Sequence, residues 1–524
     1  MVFMMDRPNF IVLHADQLRY DCTGAAQRRS GIYTPYIDSI GYQGAHFSAC
    51  YAACPLCIPQ RLSLLSGQSP QRHGIFSNLG IPYLPLETTL PAQMRRSGYL
   101  TALIGRTMHT YPSNFSYGFE YYLPGDPSSD RKDTTDAFFC DLRAHTPQTA
   151  GGYYGGGAFN NSRAAAPFHL PDDFHQTKWA TNRALEFLNA RDASRPFLLF
   201  LGYYAPHAPH NPPAEFFTRY YQRTDLDSPA ISDFDVPPCN SGNTISGYID
   251  LSEEEQRVLR AGYYGNIAFM DSQIGRILEK AVRIPNTYII FTSDHGELLG
   301  DHYLYQKNRP YEGAVHVPLV IMGPGIPDCS TIDAPVAWHD LTSTILDLAG
   351  LPIPSSMDGR SMKTLLLQGA DASWREYLHG ECTHTFFAAN RTRPADSRRN
   401  LYYEAGSQYL TDGKTKYIWH ITSGTEQLFD VQNDWNEAHD LAREEKYESV
   451  LAMWRARLIR ELADRPEGYS DGKRLIAGRP PRKLSPRMEA LAGQRRSEGL
   501  KIAYEYGGAP AKSPDIRQAL QLLV

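Results

Sequence analysis

Residues 54–74 read CPLCIPQRLSLLSGQSPQRHG, and inside them Cys57-Ile58-Pro59-Gln60-Arg61 sets a cysteine two residues before a proline and four before an arginine. In a chain with 8 cysteines and 37 prolines, composition alone yields such a triplet roughly 0.06 times. Positions i and i+4 of a helix share a face, so Arg61 is expected one turn beyond Cys57 and on its side. Taken alone, Cys54 and Cys57 also fit a redox or zinc pair, and Cys57 fits a buried structural thiol. No second metal pair accompanies them.

Around this stretch, five apolar runs (10–13, 100–104, 197–201, 288–291 and 317–321) read as buried strands of a parallel sheet. Helices are expected after Arg61, over 88–97 and 177–190, and over 253–281, where Ile267, Met270, Ile274, Ile277 and Leu278 recur at helical spacing. Residues 110–170, rich in Tyr, Gly, Pro and Asn, read as inserted loops that shape a pocket. From about 376 the pattern turns to short alternating segments. Asp412-Gly413 and Ser423-Gly424 there signal the hairpins of a small antiparallel sheet. A helix from about 436 to 463 should pack on it. The expected organisation is an α/β domain over 1–375, an antiparallel-sheet-plus-helix subdomain over 376–464, and an extended tail over 465–524. That tail either clasps a neighbouring subunit, giving a homo-oligomer, or is loosely ordered.

Composition narrows the function classes. At 524 residues the chain is long enough for a large core with a satellite, and 42% hydrophobic with 21% charged residues is ordinary for a globular protein. A net charge of −5 argues against a nucleic-acid scaffold, since phosphate binders carry a basic surplus. No run approaches the roughly 18 apolar residues of a membrane span. Asp6 and Pro8 interrupt the start, so no signal peptide is read, and with the sparse cysteine pairing a cytoplasmic location is expected.

Polar chemistry follows four of the five apolar runs: HADQ (14–17), GRTMH (105–109), APHAPH (205–210) and SDHGE (293–297). Open α/β sheets bind ligands at the carboxyl ends of their strands, so these residues are expected to share one site. Asp16, Gln17 and Asp294 offer hard oxygen donors suited to Ca²⁺ or Mg²⁺, and the imidazole of His295 is also tolerated by Mn²⁺. Each aspartate alone could instead be a helix N-cap. His109 and His207 suit acid–base work, because imidazole titrates near neutrality.

The CPLCIPQR stretch with its continuation SLLSGQSPQRHG, together with SDHGE, resembles the formylglycine-dependent sulfatase family of the alkaline phosphatase-like superfamily. GRSMKTLL (359–366) and EQLFDVQNDWNEAHDLA (426–442) extend the resemblance. It implies an alkaline-phosphatase-like α/β fold, with a mostly parallel sheet sandwiched by helices and a smaller C-terminal antiparallel-sheet subdomain. It also implies conversion of Cys57 to formylglycine by a formylglycine-generating enzyme. The hydrated aldehyde is a geminal diol: one hydroxyl attacks sulfur, and the second, once deprotonated, expels sulfate. One divalent cation, Ca²⁺ first and Mn²⁺ or Mg²⁺ next, is implied on Asp16, Gln17, residue 57, Asp294 and His295. Arg61 holds the diol, Lys307 contacts the sulfate from the far side, and His109 and His207 serve as acid and base.

The sequence departs from the family at three places. Gln17 stands where many members have a second aspartate, as in relatives that cleave choline sulfate or phosphonate monoesters. GRTMH replaces GKxH, so either Arg106 takes the lysine's place or Thr107 does, and Arg106 is the expectation. His316 stands where many members carry arginine. The implied reaction is hydrolysis of a sulfate monoester of a sugar or an aryl or alkyl alcohol. The alternatives are a phosphonate monoester or phosphodiester hydrolase using the same site, and a catalytically silent binder of sulfated glycans.

Overall fold

The structure is a computed structural model that describes residues 7–26, 28, 31–78, 89–109, 116–127, 136–146, 152–238, 248–371, 373–383, 401 and 404–497. Apolar residues at period 2 and at helical spacing combine in it into a layered α/β sandwich. An eight-stranded sheet runs in the order Tyr121–Pro124, Leu100–Gly105, Phe197–Pro206, Asn9–Asp16, Thr287–Ser293, Leu319–Met322, Ala45–Phe47 and Ser330–Ile332. Ile11 of the Asn9–Asp16 strand pairs with Leu199 on one side and Ile289 on the other, both in parallel register.

Side chains alternate between the two faces, as a pleated strand requires. Ile11, Leu13 and Ala15 point into a core shared with the helices Gln176–Ala190 and Glu253–Ala281. Phe10 and Val12 point into the opposite core, beneath Cys57–Ser66 and Trp338–Leu348. Asp16 continues this second set, so the strand delivers its carboxylate to the face that carries Cys57. The long helix Glu253–Ala281 starts where expected because Ser252 and Glu255 form a capping box.

The strand Leu319–Met322 is antiparallel to Thr287–Ser293, whereas the sequence reading made it parallel. A parallel return needs a crossover, usually a helix, and the only α-helix between the two strands is the four-residue Glu312–Val315. The chain therefore comes back from the same end of the sheet. Of residues 110–170, expected as inserted loops, 110–115, 128–135 and 147–151 lie outside the described residues, and the described remainder holds regular elements. Asp136 caps the helix Ala137–His145, and Tyr121–Pro124 adds an edge strand.

A separate sheet of four antiparallel strands follows, in the order Leu378–Thr383, Gly406–Thr411, Thr415–His420 and Glu426–Asp430. One of its faces packs Tyr409, Ile418 and Phe429 on the large domain. The other packs Leu410, Tyr417 and Trp419 on the helix Glu448–Leu462. That helix begins at 448 rather than 436, because two 3₁₀ turns, Leu441–Arg443 and Glu445–Tyr447, fill the approach. Residues 474–489 fold back on their own chain: Phe76 N–H donates to the Lys483 carbonyl at 3.0 Å, and Ser485 N–H to the Gly74 carbonyl at 2.8 Å. Residues 498–524 of the expected tail lie outside the described residues. Among the described residues no helix is long and apolar enough to cross a membrane.

The two sheets are joined through a buried charge cluster. Lys416, fully buried, meets Glu312 at 3.0 Å and Glu437 at 2.7 Å. His316 adds its Nδ1 to Glu312 at 2.6 Å and stacks on Tyr20 with ring centroids 3.8 Å apart. In this chain His316 thus serves the junction. Glu312, facing Lys416 and His316, is pulled down to about 2 against the effect of its burial. Burial, with Glu312 beside it, outweighs Lys416 at Glu437 and pushes that carboxyl up to about 7.

The group with the raised pKa sets the sign of the pH dependence. Glu437 stabilises fully below its ordinary value of 4.5, and this contribution is lost as pH rises through about 7. Urea unfolding of wild type and Glu437→Gln at pH 5 and pH 8 should show the variant gaining stability relative to wild type at pH 8. Parallel pH profiles for the two proteins would contradict the assignment.

Candidate active site

Four neighbouring strands, Leu100–Gly105, Phe197–Pro206, Asn9–Asp16 and Thr287–Ser293, end side by side. The residues that finish or follow them are Arg106, His207, Asp16 with Gln17, and Asp294 with His295. Across from them the helix Cys57–Ser66 points its first residue, Cys57, at the same place. Asn78 Oδ1 accepts a hydrogen bond from Ile58 N–H at 3.0 Å and so caps this helix start from outside. Gly67, at φ 64°, ends the helix in the left-handed region.

Asp16, Cys57, Asp294 and His295, all buried, bring one donor atom each within 4.8 Å of one another. Cys57 Sγ lies 3.1 Å from His295 Nε2 and 4.0 Å from Asp16 Oδ1. Two carboxylates with one imidazole suit a hard-to-borderline divalent cation, so this donor set fits the metal that the family resemblance implies.

Gln17, at φ 73°, turns its backbone N–H onto Asp294 Oδ1 at 3.1 Å. Its side-chain amide is oriented from both ends: Nε2 donates to Glu297, and Oε1 accepts from Lys307 Nζ at 2.5 Å. Glu297 belongs to the SDHGE motif, and sequence reasoning left it without a role. Its second oxygen is fixed by Leu299 N–H at 3.0 Å.

The arginines balance the buried acids. Arg61, one turn beyond Cys57, donates to Asp16 Oδ2 and to Asp294 Oδ2 at 2.8 Å each, and to the Thr107 carbonyl at 2.8 Å. Arg106 donates to Asp16 Oδ2 at 2.7 Å, pairs with Asp126, and lies over the Tyr204 ring at 4.3 Å. Its guanidinium is therefore shared between two carboxylates. Asp126 gives no motif signal, and only the fold brings it to Arg106.

The two histidines neighbour this charge cluster. His207 places Nδ1 2.7 Å from the Ala208 carbonyl, and its ring lies 4.9 Å from that of Tyr204. His109, at φ 52°, sets Nδ1 3.9 Å from Asp126 Oδ2. Burial, reinforced by Lys307 for His207 and by Arg106 and Arg61 for His109, holds both well below the usual imidazole range. His210 is buried against Tyr263 with ring centroids 5.7 Å apart. Burial raises the Cys57 thiol, but Lys307 and His295 outweigh it and leave the thiol below its ordinary value. Burial likewise raises Asp16, and Arg106 and Arg61 reverse this to hold it well below the carboxylate range. His14, two residues before Asp16 and pushed down to about 3 chiefly by burial, stays neutral beneath the cluster.

A family model described as Sulfatase matches residues 8–351, and one described as N-sulphoglucosamine sulphohydrolase, C-terminal, matches 300–464. An arylsulfatase of Clostridium perfringens is 32% identical over 497 residues, which cover 90% of this chain and 98% of that protein. A choline-sulfatase of Rhizobium meliloti is 27% identical over 98% of this chain and 94% of its own length. The solved phosphonate monoester hydrolase of Agrobacterium radiobacter superposes with a TM-score of 0.72 at 24% identity, covering 87% of this chain and 96% of that one. From the extent of the family match and of the arylsulfatase identity, the chain belongs to the sulfatase family of sulfuric ester hydrolases.

Proposed function

We propose that this sulfatase hydrolyses a sulfate monoester of a sugar or of an aryl or alkyl alcohol, with Cys57 matured to formylglycine. Asp16, Gln17, Asp294, His295 and residue 57 would hold a single divalent cation, Ca²⁺ in the first place and Mn²⁺ or Mg²⁺ otherwise. The observation that carries this reading is the meeting of the Asp16, Cys57, Asp294 and His295 donors within 4.8 Å. When present, the cation polarises a sulfate oxygen and the matured side chain supplies an aldehyde-hydrate hydroxyl as nucleophile.

The chain's own residues then have distinct tasks. Arg61 keeps both carboxylates oriented and screens their mutual repulsion. Lys307 places a positive charge where the sulfate's peripheral oxygens gather charge. His207 and His109, neutral through burial, are each free to accept a proton: one would take it from the nucleophile's hydroxyl, and the other, once it has taken up a proton, would pass it to the departing alcohol oxygen. Arg106, shared by Asp16 and Asp126, acts on the substrate through Asp16. The Cys57–Ser66 helix sets the positive end of its dipole beside residue 57, which favours an anion there.

A second reading, phosphonate monoester or phosphodiester hydrolysis in the same site, draws support from Gln17 in place of a carboxylate. It also draws on the 28% identity, over 85% of this chain, to a multifunctional alkaline phosphatase superfamily protein of Trinickia caryophylli.

With protein made in its native host, the mass of the peptide containing residue 57 should show the aldehyde or its hydrate, and Cys57→Ala should lower kcat by about 10³ or more. An unconverted thiol with full activity would contradict the nucleophile. Kinetics on matched 4-nitrophenyl sulfate and bis-4-nitrophenyl phosphate decide between the two readings. The account predicts a higher kcat/KM for the sulfate, and faster phosphodiester turnover by orders of magnitude overturns it.

A further inference from the structure

One exposed aromatic side chain, Phe159, stands on a turn that is tied to residues flanking the catalytic cluster. Residues 159–162 form a tight turn, in which Phe159 N–H donates to Ser162 Oγ at 3.1 Å and Ser162 N–H donates to the Phe159 carbonyl at 3.1 Å. Asn161 sits at φ 57°, a left-handed conformation that asparagine tolerates. Two hydrogen bonds tie the turn to neighbours of the catalytic cluster. On one side, Tyr204 OH donates to Asn160 Oδ1 at 2.6 Å, and the same Tyr204 ring touches His207 and underlies Arg106. On the other, Gln306 Nε2 donates to the Asn161 carbonyl at 2.9 Å, and Gln306 directly precedes Lys307.

Phe159, the residue before Asn160, is 52% exposed. It is the one phenylalanine among the large exposed apolar side chains of the described residues. Tyr154 backs it, with ring centroids 6.3 Å apart and planes 30° from parallel. A single exposed aromatic is ordinary on a protein surface and by itself means nothing. Here both following residues are tied to groups that flank His207 and Lys307, so the ring is held at a fixed place relative to the sulfate-binding end. An aromatic face mounted rigidly contributes to binding without a large ordering cost, because the turn has already met it.

We propose that Phe159 is a specificity-determining residue. Its ring is a stacking platform for a flat aryl group on the alcohol side of the ester, outside the sulfate-binding cluster. The inference rests on the sulfate-ester reading above and narrows it to aryl sulfates. Stacking on one ring contributes to ground state and transition state alike. Its loss should therefore raise KM and leave kcat in place.

The test is steady-state kinetics on the formylglycine-bearing enzyme with 4-nitrophenyl sulfate and with a short alkyl sulfate, for wild type, Phe159→Ala, Phe159→Leu and Phe159→Trp. Phe159→Ala should raise KM for the aryl ester about tenfold, with kcat within about twofold of wild type and the alkyl ester unaffected. Phe159→Leu, which keeps apolar bulk without a π face, should behave like Phe159→Ala, and Phe159→Trp should keep wild-type KM. Equal changes for both esters, or none, overturn the proposal, as does an aryl KM rescued by leucine. A wild-type enzyme that cleaves neither sulfate refutes the reaction assigned above. The same variants are then compared on aryl and alkyl phosphodiesters, where the aryl-selective loss in KM is again required.

Discussion

Two carboxylates without access to water, Asp16 and Asp294, stand at the ends of adjacent strands, and the rest of the site depends on their being neutralised. The sheet beneath them is apolar and cannot bear their charge. Arg61 supplies the compensation to both, and Arg106 adds a second cation to Asp16. Removing one partner from a buried pair costs about 3–5 kcal/mol, so neither arginine is a neutral ornament of the site. Because Arg61 lies one turn from Cys57, the residue that balances the acids also fixes where the Cys57–Ser66 helix starts relative to the strands. Charge compensation and the placement of Cys57 are thereby one constraint.

The small sheet extends this arrangement away from the centre. Lys416 reaches from it to Glu312, which opens the short helix after Lys307 and faces His316. The segment that presents Lys307 to Gln17 is thus anchored at its far end by the junction of the two sheets. Tyr409 OH donates to the Ala52 carbonyl at 2.7 Å and Glu381 N–H to the Ala53 carbonyl at 2.8 Å, which pins the approach to Cys54 and Cys57 from the same side. The returning residues 483–485 hold the stretch around Gly74 and Phe76 from another direction.

Much of this was legible in the sequence. Buried strands declare themselves as short β-branched runs, and four of the five runs end in side chains that the sheet order then sets side by side. The helix over 253–281 was legible from its long period-3.6 apolar stripe, and the structure adds the capping box at its start. Strand direction was not, because the run ending at Ile321 carries the same apolar signal whichever way it runs, and only the connection decides. The N-terminal extent of the Glu448–Leu462 helix was not legible either, since charged 3₁₀ turns resemble a solvent-facing helical turn, and neither was the helix Pro486–Ser497 within the stretch expected as an extended tail. Asp126 and Glu297 were invisible as partners because an acid gains meaning from the arginine or amide the fold brings to it. The role of Arg106 changed for the same reason: its position after a strand was readable, and its capture by two carboxylates was not. His316, which stands where many members carry arginine, is a stacking and ion-pair residue of the junction.

The central claim is that Asp16 and Asp294, balanced by Arg61, are preorganised to take up a divalent cation beside residue 57. Thermal unfolding of metal-stripped protein with increasing Ca²⁺ tests it most directly, in wild type and in Asp294→Asn. Wild type should rise in Tm with Ca²⁺, gaining about 2.7 kcal/mol at a hundredfold excess over Kd, and the variant should show little response in the same range. An equal response in both proteins, or none in wild type to Ca²⁺, Mn²⁺ or Mg²⁺, would contradict the account.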